Sequence, residues 1–227
     1  MATLASNRKG FITGASQTSY GDALASTTGA ATDSATGDQN AIQYFKNTGR
    51  GGGTFRFIRT FIHFDTSGIS GASSISLQLT ATAGDASDGL HNTIAIKHSA
   101  GSSNGSALSS GDFDNIDRST TYSNSTAFGS SGTITFNLNA AAATQINNNN
   151  DFNVALVLAL DQAQEEEDPL ETSGDITNGI AFSSAINLVY TAAATGYTHK
   201  VNTVAAANIG KVNTVATANI GKINTVD

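Results

Sequence analysis

Three carboxylates crowd one short stretch, Asp112-x-Asp114-x-x-Asp117, and oxygen donors grouped in a loop this way suit a hard cation such as calcium. The spacing is incomplete for an EF-hand, with no glycine at the sixth place and no closing glutamate. A second acidic run, Glu165-Glu166-Glu167-Asp168-Pro169-Leu170-Glu171, reads most simply as a solvated loop. The two runs could supply the paired carboxylates of a glycoside hydrolase, but nothing in the sequence fixes their separation. Calcium is therefore the single cofactor the sequence raises.

Nucleophilic chemistry has less to draw on. The Gly-x-Ser-x-Gly match, Gly101-Ser102-Ser103-Asn104-Gly105, lies in a Ser/Gly loop with no helix pattern behind it, so it is not a nucleophile elbow. His63, His91, His98 and His199 show no zinc spacing. Gly49-Arg50-Gly51-Gly52-Gly53 lacks the Lys-Ser/Thr of a phosphate loop and leads into a strand. No nucleophile, base and orienting group can be named together, and the chain reads as a non-enzyme.

The elements that would position these residues are strands. The chain has 227 residues, 23 of them Gly, with one Pro, no Cys, no Trp and only 13% charged residues. So few charges leave little support for long helices, and the Gly/Ser/Thr/Asn background suits short strands and turns. Strands are expected near 41–46, 55–64, 74–82, 92–98, 132–138, 153–161, 179–183 and 186–192. Ile75, Leu77, Leu79 and Ile134, Phe136, Leu138 alternate with polar residues, giving one dry and one wet face. Val154 to Leu160 is apolar throughout, as in a strand covered on both sides. Ala140–Ile146 is the best helix candidate, with Asn139 as its N-cap. Residues 1–40 are poor in large apolar side chains and read as an extended N-terminal arm, loosely held or ordered by packing on other subunits.

Strand 55–64 is unusual because both of its parities carry bulk. If one faces the core, the other presents Phe57, Arg59, Phe61 and His63 as an interface or glycan-stacking face, to be covered by the arm, a neighbour or a sugar. The absence of Trp counts against a sugar platform.

After Tyr197 an 11-residue unit repeats: Lys200-Val-Asn-Thr-Val-Ala-Ala-Ala-Asn-Ile-Gly, a near copy from Lys211, and a partial one from Lys222. Val201, Val204, Ile209, Val212, Val215, Ile220, Ile223 and Val226 are too few per unit to form a core, so they point to assembly or attachment. An 11-residue period also fits a right-handed helical coil, but recurring Val, Thr, Asn and Gly favour short strands joined at Asn-Ile-Gly bends. The net charge is −7, yet residues 191–227 carry three lysines against Asp227 alone, which favours docking to an acidic surface. No basic patch suits nucleic acid, and no apolar run is long enough for membrane insertion or a secretory signal.

Residues 41–192 resemble the DNRLRE-type jelly-roll modules related to carbohydrate-binding modules. The resemblance rests on Phe-Ile-Arg-Thr-Phe-Ile-His-Phe-Asp-Thr-Ser-Gly-Ile-Ser-Gly-Ala at 57–72, the following Ile-Ser-Leu-Gln-Leu, and the closing Ile-Ala-Phe-Ser-Ser and Ile-Asn-Leu-Val-Tyr. The family's usual tryptophan is missing. The tail is similar to the Lys-Val/Ile-Asn-Gly-Val repeats that finish many marine phage structural proteins, with Thr203, Thr214 and Thr225 where Gly is usual. Together they imply an all-β, antiparallel jelly-roll sandwich at 41–192 with a repetitive tail at 193–227, made in the host cytoplasm and built into a virion. Its partners would be copies of itself, with a trimer favoured, and other virion proteins such as a capsid protein. The roles implied are capsid decoration or a head or tail fibre, and the alternative is a module recognising a cell-surface polysaccharide.

Overall fold

A computed structural model describes residues 1–33, 40–49, 53–85, 92–101, 107–129, 131–164, 176–193, 211–212 and 215–216. The chain divides into two units, Met1–Thr191 and Ala192–Asp227.

The first unit is the expected antiparallel all-β sandwich. Its strands are β1 (Ala2–Ala5), β2 (Arg8–Gly14), β3 (Gly29–Asp33), β4 (Asn40–Asn47), β5 (Thr54–Asp65) and β6 (Ser73–Asp85). They continue with β7 (Asn92–His98), β8 (Ile116–Thr121), β9 (Thr126–Ala127), β10 (Gly132–Asn137), β11 (Asp151–Leu158) and β12 (Ile176–Thr191). Three short helices, α1 (Tyr20–Leu24), α2 (Ala140–Asn148) and α3 (Ala159–Ala163), interrupt them. One hydrogen-bonded path runs β10-β6-β12-β4-β5-β11-β7-β8.

β5 is where the sandwich divides. Residues 54–58 pair with β4, whereas residues 60–65 pair with β11, and β2 runs along residues 58–63. Where β4 and β11 part company, Thr60 Oγ1 donates to the Ala41 carbonyl at 2.8 Å and closes the gap. Every residue from Phe57 to Phe64 is buried, so β5 is covered on both faces. The alternating residues Ile75, Leu77, Leu79, Ile134 and Phe136 point inward as their period requires, Leu188 joins them, and Leu138 packs partly buried at the rim.

Several sequence expectations need correction. Residues 1–33 are not a loose arm: β1 pairs with Asn187–Tyr190 of β12, β2 pairs with β5, and β3 pairs with β2. Their low apolar content misleads, because backbone hydrogen bonds to existing strand edges hold them, while Ile12, Tyr20, Ala23 and Leu24 supply the buried anchors. The apolar run of β11 stops as a strand at Leu158 and turns into α3. The two strands expected at 179–183 and 186–192 are one, β12, with register shifts at Ala181/Phe182 and Phe182/Ile186. The Ser pair there marks a bulge, not a turn. Asn139 does cap α2, its side chain accepting from the Ala141 and Ala142 amides at 3.0 and 3.1 Å.

In the second unit, Lys211–Val212 (β13) pairs antiparallel with Val215–Ala216 (β14), Val212 opposite Val215. The chain thus reverses inside a repeat unit. The Asn-Ile-Gly segments lie outside the described residues.

Candidate functional site

Among the described residues, four charged side chains, Arg59, Asp114, Arg118 and Asp161, meet where β5, α3 and the loop before β8 come together. Pairing of β11 with β5 ends at Leu156 opposite Thr60, and three residues later the chain coils into α3. That turn carries Asp161 over Arg59, and Gln164, at φ 52, ends the helix in the left-handed region. Arg59 is 0% exposed and Asp161 1%. The pair is bidentate, with Nε donating to Oδ2 and Nη2 to Oδ1, both at 2.7 Å.

Residues Ser110–Asp114 form a 3-10 turn that closes the other side. Its Phe113 carbonyl accepts from Arg59 Nη1 at 2.7 Å, and the guanidinium carbon stands 3.9 Å from the Phe113 ring centroid. Gly14 of β2 makes room for that ring, since a Cβ there would stand 2.7 Å from Phe113 Cζ. Arg118 completes the group, donating to Asp114 Oδ1 at 3.0 Å and to the Asp161 carbonyl at 3.3 Å. Two arginines thus face two aspartates, and charge is balanced. Both carboxylates of this cluster are engaged by guanidinium groups, and the contacts fasten α3 and the 110–118 segment to the centre of β5.

The expected calcium ligands are separated by their own hydrogen bonds. Asp112 accepts from the Ser109 amide and hydroxyl and from Asn115, Asp114 turns to Arg118, and Asp117 takes the Ser119 and Thr120 hydroxyls. Partial burial opposes ionisation of Asp112, but the Ser109 and Asn115 bonds prevail and hold its carboxyl below the usual range. The Ser119 and Thr120 hydroxyls do the same for Asp117. Among the described residues no three His, Asp or Glu side chains converge as a metal site, so the three aspartates do not form the expected cluster. The Glu165–Glu171 run lies outside the described residues.

Phe57, Arg59, Phe61 and His63 are buried, which corrects the reading of that parity as an open interface or glycan face. β2, α1 and the 3-10 turn supply the cover. His63 Nε2 lies 2.8 Å from Asp151 Oδ1 across the β5–β11 ladder. His98 is 2% exposed; its Nδ1 accepts from the Ala100 amide, so Nε2 carries the proton and donates to the Ile62 carbonyl. Burial, partly offset by the Ile62 bond, lowers its pKa to about 4, and the ring is neutral. Among the described residues neither imidazole has a hydroxyl as hydrogen-bond partner. Ser123, the buried serine beside β7, accepts from Ala95 and donates to Asn124. His91, His199, Ser102–Gly105 and Arg50–Gly52 lie outside the described residues.

Of the tail residues, Val212 and Val215 have described backbones that pair with each other. Val201, Val204, Ile209, Ile220, Ile223 and Val226 lie outside the described residues. The chain matches no family model, and no curated protein is detectably similar to it in sequence.

Proposed function

We propose that this chain is a non-enzymatic structural protein of a bacteriophage virion, a capsid decoration or fibre component that associates with copies of itself and docks through its repeats. The observation that carries the reading is the 11-residue repeat appended to a self-contained sandwich. Each unit offers β-forming apolar residues and too few of them to bury one another. A hairpin as short as Lys211–Ala216 gains little stability alone in water, so partners must supply the rest. The lysine beginning each unit steers the tail toward acidic surfaces, including the acidic body of another copy.

The Arg59, Arg118, Asp114 and Asp161 cluster supports a scaffold role, since its charges are spent on one another. The polysaccharide-binding alternative loses the surface on which it rested, because the aromatic parity of β5 is core.

Size-exclusion light scattering on the full chain and on a chain lacking residues 197–227 tests the proposal. A closed oligomer, a trimer foremost, is expected from the full chain and a weakened one from the truncation. Equal assembly and equal particle binding by the two would overturn it.

A further inference from the structure

The buried amide of Asn178 stands out among the polar groups of the sandwich. It is 1% exposed, and neither its Oδ1 nor its Nδ2 has a hydrogen-bond partner. Buried carboxamides without any partner are rare enough in native proteins to ask for a cause.

Its surroundings supply one. Asn178 on β12 pairs with Tyr44 of β4, and Lys46 lies two residues further along β4. Alternation puts Lys46 and Asn178 on the same face as diagonal neighbours, about 7–8 Å apart at the backbone, within reach of a lysine side chain. Lys46 is itself 7% exposed, with Nζ 5.8 Å from the Phe55 ring centroid. Tyr44 packs against Phe57 at 5.2 Å and against Tyr20 at 5.6 Å on that same side, which keeps water away. β12 and β4 are paired directly here, and a Cβ at Gly179 would meet the Ile42 carbonyl oxygen and Gln43.

We propose that Lys46 and Asn178 are the two halves of an intramolecular isopeptide bond. Nζ of Lys46, once its ammonium proton is lost, adds to Cγ of Asn178. The Cγ–Nδ2 bond then breaks, and the nitrogen leaves as ammonia with a proton given up by Nζ. One amide replaces another, and no oxidant or co-reactant is consumed. The product removes the unpartnered primary amide and joins β4 to β12 covalently.

Intact mass spectrometry of the denatured full-length protein reads the outcome directly, as a deficit of about 17 Da for one ammonia. Tryptic digestion should then release a branched peptide joining the Lys46 and Asn178 segments. Lys46→Arg and Asn178→Ala should each restore the full sequence mass. A succinimide at Asn178-Gly179 gives the same deficit, but it persists in Lys46→Arg and yields no branched peptide. That pattern, or a wild-type protein at its full sequence mass, overturns the proposal. The wild-type measurement stands even where a variant fails to fold.

Discussion

Arg59 is a cation that the fold has enclosed completely, and its tolerance depends on Asp161. Removing the carboxylate leaves a buried guanidinium with the Phe113 carbonyl and ring and the more distant Asp114, 3.7 Å away, as its partners. Asp161→Ala should therefore cost about 3–5 kcal/mol, read as a fall in the urea midpoint. Replacing both groups by apolar residues, Arg59→Met with Asp161→Leu, should be less damaging than Asp161→Ala alone, since no charge is stranded. His98 predicts a pH dependence. Its folded pKa, about 4, lies below the ordinary 6.5, so between those values the unfolded chain binds the proton and the folded one does not. The associated stability is present in full above pH 6.5 and is lost as pH falls toward 4, by about 3 kcal/mol in total. Urea titrations across that window should slope in the wild type and flatten in His98→Gln.

At the scale of elements, the first 33 residues and α2 make separate predictions. β1 and β2 each satisfy a strand edge, on β12 and β5, and β2 brings the buried Ile12. A chain lacking residues 1–14 should lose cooperative thermal unfolding or aggregate, because it exposes the edge of the central strand. A loose arm would be removable without that consequence. For α2, Asn139→Ala removes the acceptor for two orphan amides and should lower stability by about 1 kcal/mol, checked by denaturant unfolding.

For the whole molecule, the division at Ala192 predicts independence of the body from the repeats. Removing residues 197–227 should leave the β-type circular dichroism spectrum and melting temperature of the sandwich unchanged while weakening assembly. Salt should weaken assembly too, since Lys200, Lys211 and Lys222 act by attraction to an acidic partner and such attraction is screened.

What was legible in the sequence was whatever depends on near neighbours along the chain. The period of two at Ile75–Leu79 and Ile134–Leu138 named the inward faces, and Asn139 before an alanine run named a helix and its cap. The identity of the repeat units likewise needs no fold to be seen. What only the tertiary structure decided were meetings between distant segments. Nothing local says that the weakly apolar β1–β3 would be held by backbone bonds to β5 and β12. Nor does it say that a turn after Leu158 would set Asp161 on Arg59, 102 residues away. A signal for that pair was present, one cation within an apolar stretch and one carboxylate directly at the end of another, but sequence shows only that each needs a partner. The partner, like the burial of Phe57, Phe61 and His63 and the separation of Asp112, Asp114 and Asp117, follows from which strands pair. Pairing is settled by the chain as a whole, because hydrogen bonds and burial reward contacts regardless of their distance in sequence.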